Sequence, residues 1–258
     1  MWSPPSSRGA PEAAAAAQRV HRLFCDGPLA PGATVTLTER AARHAIALRL
    51  RSGDPVTLFN GDGTESAAAL VAVGKRGVTA AVRTRTAVDR ESPLETRLIQ
   101  GVCAADRMDL VLQKATELGV ASIRPVVTAR SVVRLASERL ERREAHWRNV
   151  VIAACEQCGR NRIPQLAGTV PFAQFMADAP RAGTRLLLAP AAGARLRDIA
   201  PAPPVHVLIG PEGGLALEER TLVLAAGFVP VRFGPRTLRT ETAPLAALAA
   251  LQALWGDC

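Results

Sequence analysis

Apolar and polar positions change rhythm once along the chain, near residue 90. Between Val20 and Val88 the period is that of strands. "ATVTLT" (33–38) alternates, "DPVTLFNGDGTESAAALVAV" (54–73) reads strand, turn, strand, and "GVTAAVRTRTAV" (77–88) alternates again. The "NGDG" at 60–63 has the glycine, asparagine and aspartate chemistry of a hairpin turn. One helix, "ERAARHAIALRL" (39–50), interrupts these strands, with Thr38 placed to cap it. Such a run of short strands predicts a compact β-barrel over 20–88, and "DRESP" (89–93) reads as a linker.

From Thr96 onward strands and helices alternate. "RLIQGVC" (97–103) precedes "DRMDLVLQKATELG" (106–119), in which Met108, Leu110, Val111 and Leu118 mark an apolar stripe closed by Gly119. "ASIRPVV" (121–127) is followed by a long charged helix over 137–160. "TRLLLAP" (184–190), "VHVLIG" (205–210) and "FVPVRF" (228–233) are continuous apolar runs, as in strands buried on both faces. A last helix covers 243–255. The predicted class for 96–258 is α/β with a mostly parallel sheet.

Composition narrows the function. The net charge is +9 with a pI near 10.7, and nearly all of the basic residues are arginine. That balance favours a polyanionic partner, because guanidinium groups fork onto phosphate. With 3% aromatics and no tyrosine, the chain lacks the stacking residues of an RRM-type sheet, so RNA would be held by arginine and by shape. No run of 18 uncharged apolar residues predicts a membrane span. Residues 1–19 are rich in Pro, Ser and Ala without a basic n-region or apolar h-region, which predicts a disordered extension, not a signal peptide, and a cytoplasmic protein.

Five cysteines without a secretory signal argue against a disulfide framework, and "CEQC" (155–158) lies within a predicted helix with no second pair for zinc. His146 and His206 stand alone in the sequence, so no metal site is expected.

Ligands of open α/β sheets bind beyond the carboxyl ends of the strands. Three predicted strand ends carry unusual loops: "LAPAAG" (188–193), "IGPEGG" (209–214) and "FGPRTLRTET" (233–242). Glycine lets a ligand approach the backbone, and proline stiffens the turn. The spacing is neither a dinucleotide fingerprint nor a P-loop.

"LIGPEGGLALEE" followed by "FGPRTLRTETAPLAALAAL" resembles the RsmE family of rRNA methyltransferases, in the SPOUT class. The likeness extends through 106–126, "WRNVVIAACEQCGRNRIP" (147–164) and the segment 22–63. It implies a small PUA-like barrel (20–88) and a SPOUT methyltransferase domain (96–258) with a C-terminal trefoil knot, acting as a homodimer. It also implies S-adenosylmethionine-dependent methylation of uridine N3 in small-subunit (16S) ribosomal RNA. By the same resemblance, Ala189, Pro190, Gly210, Pro211, Glu212, Gly213, Gly214, Phe233, Gly234 and Leu238 would hold the cofactor.

Uridine N3 is a poor nucleophile until its proton is lost. Arginine donors aimed at the flanking carbonyl oxygens would favour the anion. Arg236 or Arg239 is expected in that role, with Glu241 orienting an arginine or accepting the proton. The alternative for both arginines is ion pairing with Glu212 and Glu241. Arg22, Arg49 and Arg51, with His44, are expected to form an RNA-facing patch or a solvated helix face. Arg130, Arg160 and Arg162 would reach phosphates or cap carbonyls, and Trp147 is expected in the core. Ala216 stands where the family has a serine, which predicts a helix start weaker by about 1 kcal/mol. Pro244 makes Thr242 the expected cap of the last helix. Two rival functions remain: a related SPOUT enzyme acting on tRNA, and a non-catalytic RNA-binding or ribosome-assembly factor.

Overall fold

The computed structural model describes residues 20–74, 77–131 and 137–258, and the expected extension over 1–19 lies outside them. The first half holds β1 (His21–Phe24), β2 (Thr34–Thr36), α1 (Glu39–Ala47), β3 (Pro55–Phe59), β4 (Thr64–Gly74) and β5 (Gly77–Ala87). The strands form one five-stranded sheet in the order β1-β3-β4-β5-β2. All its pairings are antiparallel except β1 with β3. Gly61 and Gly63 take positive φ in the β3–β4 turn, as the "NGDG" chemistry predicts. Thr38 caps α1, its hydroxyl accepting from Ala41 N at 3.2 Å. Leu23, Val56, Leu58, Leu70, Val78 and Ala45 close a separate small core.

The second half runs β6 (Thr96–Gly101), α2 (Ala105–Glu117), β7 (Ser122–Val127), α3 (Ser137–Cys158), β8 (Gln165–Leu166), β9 (Val170–Pro171) and α4 (Phe172–Ala177). It continues with β10 (Thr184–Leu188), β11 (Ala194–Arg195), β12 (Val205–Ile209), α5 (Leu217–Ala225), β13 (Val229–Arg232) and α6 (Thr242–Trp255). The sheet order is β11-β13-β10-β12-β6-β7-β8, with β9 on β7, and every pairing is parallel. Alternate residues of β6 show why its run is apolar throughout. Leu98 packs with Met108, Val111, Trp147 and Leu248 from α2, α3 and α6, while Ile99 packs with Phe172, Phe175 and Val223 from α4 and α5. Trp147 is a core residue, as expected.

After β6 the chain first builds outward through β7 and β8, then returns to place β12, β10 and β13 on the other side. That reversal opens a crevice at the carboxyl ends of β6 and β12.

The two halves meet on α3. Phe24 and Phe59 pack against Ile152 and Cys155, the rings 5.6 Å apart at 68°. Beside them the buried Glu156 accepts from Phe24 N at 2.9 Å and from both terminal nitrogens of Arg40 at 3.0 and 2.6 Å, with His44 Nδ1 at 3.4 Å. The glutamate of "CEQC" is therefore the pin that fixes β1 and α1 to the second half.

Two arginines expected to face RNA belong to this seam. Arg160 is only 4% exposed. It donates to Thr116 O (2.8 Å) and Val120 O (3.0 Å) and pairs with Glu91. Arg22 donates to Glu65 (2.7 Å), Asn161 Oδ1 (2.6 Å) and Arg160 O, its guanidinium 4.9 Å from the Phe59 ring. Every donor of Arg160 and all those of Arg22 but Nε, which is buried without a partner, are held by protein, so the RNA-facing expectation is corrected for both; Arg160 caps carbonyls instead. Arg49 and Arg51 remain exposed.

Candidate active site

Loops following β10, β12 and β13 converge on the crevice with the first turn of α2. They enclose a cavity of about 590 Å³. Ala189, Pro190, Gly210, Pro211, Glu212, Gly213, Gly214, Phe233 and Leu238 line it, as do Arg236 and Arg239. Gly234 does not line the cavity; it turns the last loop at φ +64. Leu188, Ile209, Val231 and Ala243 complete apolar walls.

Close backbone packing shapes the Gly-rich loop. A Cβ on Gly101, the last residue of β6, would stand 2.6 Å from Pro211 Cδ and from Pro211 N. Arg130 braces the other side, donating to Gly213 O at 2.9 Å while staying exposed. The following helix starts at Ala216, which offers no side-chain acceptor. Glu219 still reaches back to Ala216 N at 2.9 Å and also accepts from Ala129 N at 2.8 Å. Half of a capping box survives, and its glutamate ties α5 to the loop after β7.

"RTLRTET" divides by residue. Thr240 is buried; its hydroxyl donates to Gly210 O at 2.8 Å and accepts from Gln100 Nε2 at 3.2 Å, joining the last loop, the Gly-rich loop and β6. Thr242 does not cap α6, which corrects the sequence expectation. Thr242 N and Ala243 N both donate to Arg239 O, at 3.0 and 2.9 Å, and Pro244 has no N–H to receive a cap. Arg236 and Arg239 are exposed at the cavity and make no ion pair among the described residues.

The ion pairs that were the alternative role for those two arginines belong to Arg107. Its Nη1 lies 3.0 Å from Glu212 Oε1, which also accepts from Ala104 N, and its Nε lies 3.9 Å from Glu241 Oε2. Glu241 does not line the cavity, and its Oε2 is buried without a hydrogen-bond partner. Arg107 was missed as a site residue in the sequence although it stands in "DRMD". The usable signal was its place in the first helical turn after a strand, on the edge where parallel sheets bind ligands. Cys103 is buried near it, and burial, then the charge of Glu212, pushes its thiol up to about 12. No cluster of metal-ligating residues occurs among the described residues.

Residues 90–252 match the family model described as an RNA methyltransferase domain. A ribosomal RNA small subunit methyltransferase E of Mycobacterium bovis is 33% identical over 230 residues, covering 86% of this chain and 87% of that protein. The chain belongs to this rRNA methyltransferase E family. Among solved structures, a Legionella pneumophila methyltransferase in complex with S-adenosylmethionine superimposes with a TM-score of 0.89 at 42% identity, covering 93% of this chain and all (100%) of that one. The family's enzyme from Neisseria gonorrhoeae, bound to S-adenosylmethionine, gives 0.85 at 39% identity over 93% of this chain and 99% of that chain. In this member of the family, the loops that carry the sequence likeness are those that enclose the cavity.

Proposed function

We propose that the chain transfers a methyl group from S-adenosylmethionine to N3 of a uridine in small-subunit (16S) ribosomal RNA. The observation that carries this reading is the single cavity edge where the cofactor-type loops meet two arginines without ion-pair partners among the described residues. The residues present fit the cofactor. A cavity of about 590 Å³ lies in the ordinary range for small-molecule sites, its walls are apolar, and the Gly-rich backbone offers hydrogen-bonding groups without Cβ obstruction. Gly210–Gly214, Ala189, Pro190, Phe233 and Leu238 would hold it. When bound, S-adenosylmethionine supplies an electrophilic methyl group on a sulfonium centre.

The chain's own task is to bring uracil N3 into line and to favour loss of its proton to solvent water at the open cavity. Charge on the anion spreads to the two neighbouring carbonyl oxygens, and Arg239 or Arg236 donates to one of them while the other arginine grips phosphate. Glu241 acts through Arg107, keeping that guanidinium between the two loops; this assigns it orientation and not proton transfer. Arg49, Arg51 and Arg130 are the exposed candidates for RNA phosphates.

The remaining features follow the same reading. Residues 20–88 form a PUA-like barrel that binds RNA, 96–258 a SPOUT domain with a trefoil knot, and the enzyme acts as a cytoplasmic homodimer on the small ribosomal subunit. The test is transfer of labelled methyl from S-adenosylmethionine into small subunits, followed by nucleoside analysis. 3-Methyluridine is expected. A 2′-O-methylated nucleoside would overturn the chemistry, and failure to bind S-adenosylmethionine would favour a non-catalytic RNA-binding factor.

A further inference from the structure

A second cavity, of about 260 Å³, opens at the opposite edge of the parallel sheet, where β6, β7 and β12 begin. Along β6 it is separated from the cofactor edge by roughly 13 Å, four residues of extended chain. Arg97, Arg124 and His206 line it over a floor that includes Ile99 and Phe175. Strand register gathers these groups. His206 lies directly across from Arg97 on one side and Arg185 on the other, and Arg124 lies across from Ile99, two residues on from Arg97. Residues two apart in a strand share a face, so all four side chains belong to the face covered by α4 and α5.

His206 is the unusual member. It is 6% exposed, lines the cavity, and neither ring nitrogen has a hydrogen-bond partner among the described residues. Burial first, then the positive charge of Arg97, holds its imidazole below the usual histidine range, so near neutrality it offers one N–H donor and one acceptor. Its ring nitrogens are not among the sealed polar atoms that lack a partner, so the ring opens onto the cavity, where a ligand can meet it. Arg124 is exposed and makes no ion pair among the described residues. Arg97 is held from one side by Glu95 at 2.6 Å, and Arg185 is turned onto Pro180 O and Ala226 O. The acidic lining residue is Asp178, exposed at the end of α4.

We infer that this cavity binds a phosphate group, with Arg124 and Arg97 supplying charge and His206 an N–H donor. The phosphate comes either from an RNA backbone or from a free nucleotide; both present the same tetrahedral anion to guanidinium forks. The inference stands independently of the chemistry at the cofactor edge.

Arg124→Glu reverses one exposed charge without touching the core or the cofactor loops. Three measurements on the full chain and this variant decide the matter. Calorimetry follows adenosine 5′-monophosphate, anisotropy follows a uridine-containing RNA oligonucleotide across salt concentrations, and NMR follows the His206 ring. With an RNA source, the variant binds RNA about tenfold more weakly, its salt dependence falls by about one phosphate, and RNA moves the His206 signals. With a free-nucleotide source, adenosine 5′-monophosphate binds the wild type, moves the His206 signals and is lost in the variant, while RNA affinity holds. If neither ligand distinguishes the two proteins, or if RNA binding weakens while the His206 signals stay still, the inference is overturned. Unchanged S-adenosylmethionine affinity in the variant guards against a fold defect.

Discussion

The seam between the two halves and the rim of the cofactor cavity are both made of arginine and glutamate, used in opposite ways. At the seam, Arg22, Arg40 and Arg160 are surrounded by acceptors: Glu65, Asn161, Glu156, Glu91 and main-chain carbonyls. At the rim, Arg236 and Arg239 face the cavity with no ionic partner among the described residues, and the available glutamates are engaged by Arg107. The first arrangement fixes geometry, and the second leaves charge for a ligand. Local sequence looks alike in both places, so the saturation of the partners separates a structural arginine from a functional one.

If that contrast holds, removing a seam residue must destabilise the fold and leave the chemistry of folded molecules intact. Glu156→Ala strands Arg40 and the Phe24 N–H in a half-buried site, and breaking such a pair costs about 3–5 kcal/mol. Denaturant unfolding should show that loss, while S-adenosylmethionine affinity of the folded fraction stays at the wild-type value. A stable Glu156→Ala protein with weakened cofactor binding would reverse the assignment.

The rim predicts the converse. Arg239→Ala should leave the unfolding midpoint unmoved and lower the methyl-transfer rate by about 10²-fold, the usual cost of one preorganised donor. Undiminished turnover with unchanged cofactor affinity would remove Arg239 from the chemistry. Arg107→Ala combines the two uses at the rim itself, because Arg107 lines the cavity and is paired with Glu212 and Glu241. It should raise the KM for S-adenosylmethionine about tenfold by loosening the Gly-rich loop, with Arg107→Lys recovering part of the loss. An effect on kcat alone would make Arg107 a catalytic residue instead of a positioning one.

Much of this was legible in advance, for identifiable reasons. Apolar runs such as "VHVLIG" announce strands covered on both faces, and Gly-Pro loops at their ends announce a ligand edge. Nine of the ten expected cofactor residues line the cavity; Gly234 does not. Arg160 and Glu156 were not legible. Their partners lie 44 and 116 residues away, at Thr116 and Arg40, and periodicity carries no information about contacts across a domain seam. Thr242 failed as a cap because the helix begins one residue earlier than expected, on the turn from Arg239, and Pro244 offers no N–H for its hydroxyl to accept.

Acid should probe the seam more gently than substitution does. Burial disfavours the Glu65 carboxylate, but hydrogen bonds from Arg90, Arg22 and Asn161 outweigh it and lower its pKa from 4.5 to about 2. A depressed carboxylate stabilises the fold above its unfolded pKa and loses that contribution as pH falls through the folded value. The window is therefore about pH 4.5 down to about 2. Glu65→Gln should be less stable than wild type at pH 6 and should show a flatter decline across that window. Parallel stability curves for the two proteins would mean that the Arg22–Glu65 contact adds little.

The smallest effect lies outside both regions, at the helix that follows the Gly-rich loop. Ala216 has the extended backbone of a cap, φ −64 and ψ 161, but no oxygen to accept from the first turn of α5. Glu219 already holds Ala216 N, so Ala216→Ser needs to add only the forward hydrogen bond to complete the box. About 0.5–1 kcal/mol of added stability is expected, read as a higher denaturant midpoint at unchanged slope. The rate of methyl transfer discriminates further. If the Gly-rich loop is already fixed by Gly101, Thr240 and Arg130, as its contacts indicate, stiffening the next helix should leave the rate alone. A fall in rate as stability rises would show instead that the loop must yield at Gly214 during turnover, and that Ala216 keeps the start of α5 loose for that movement.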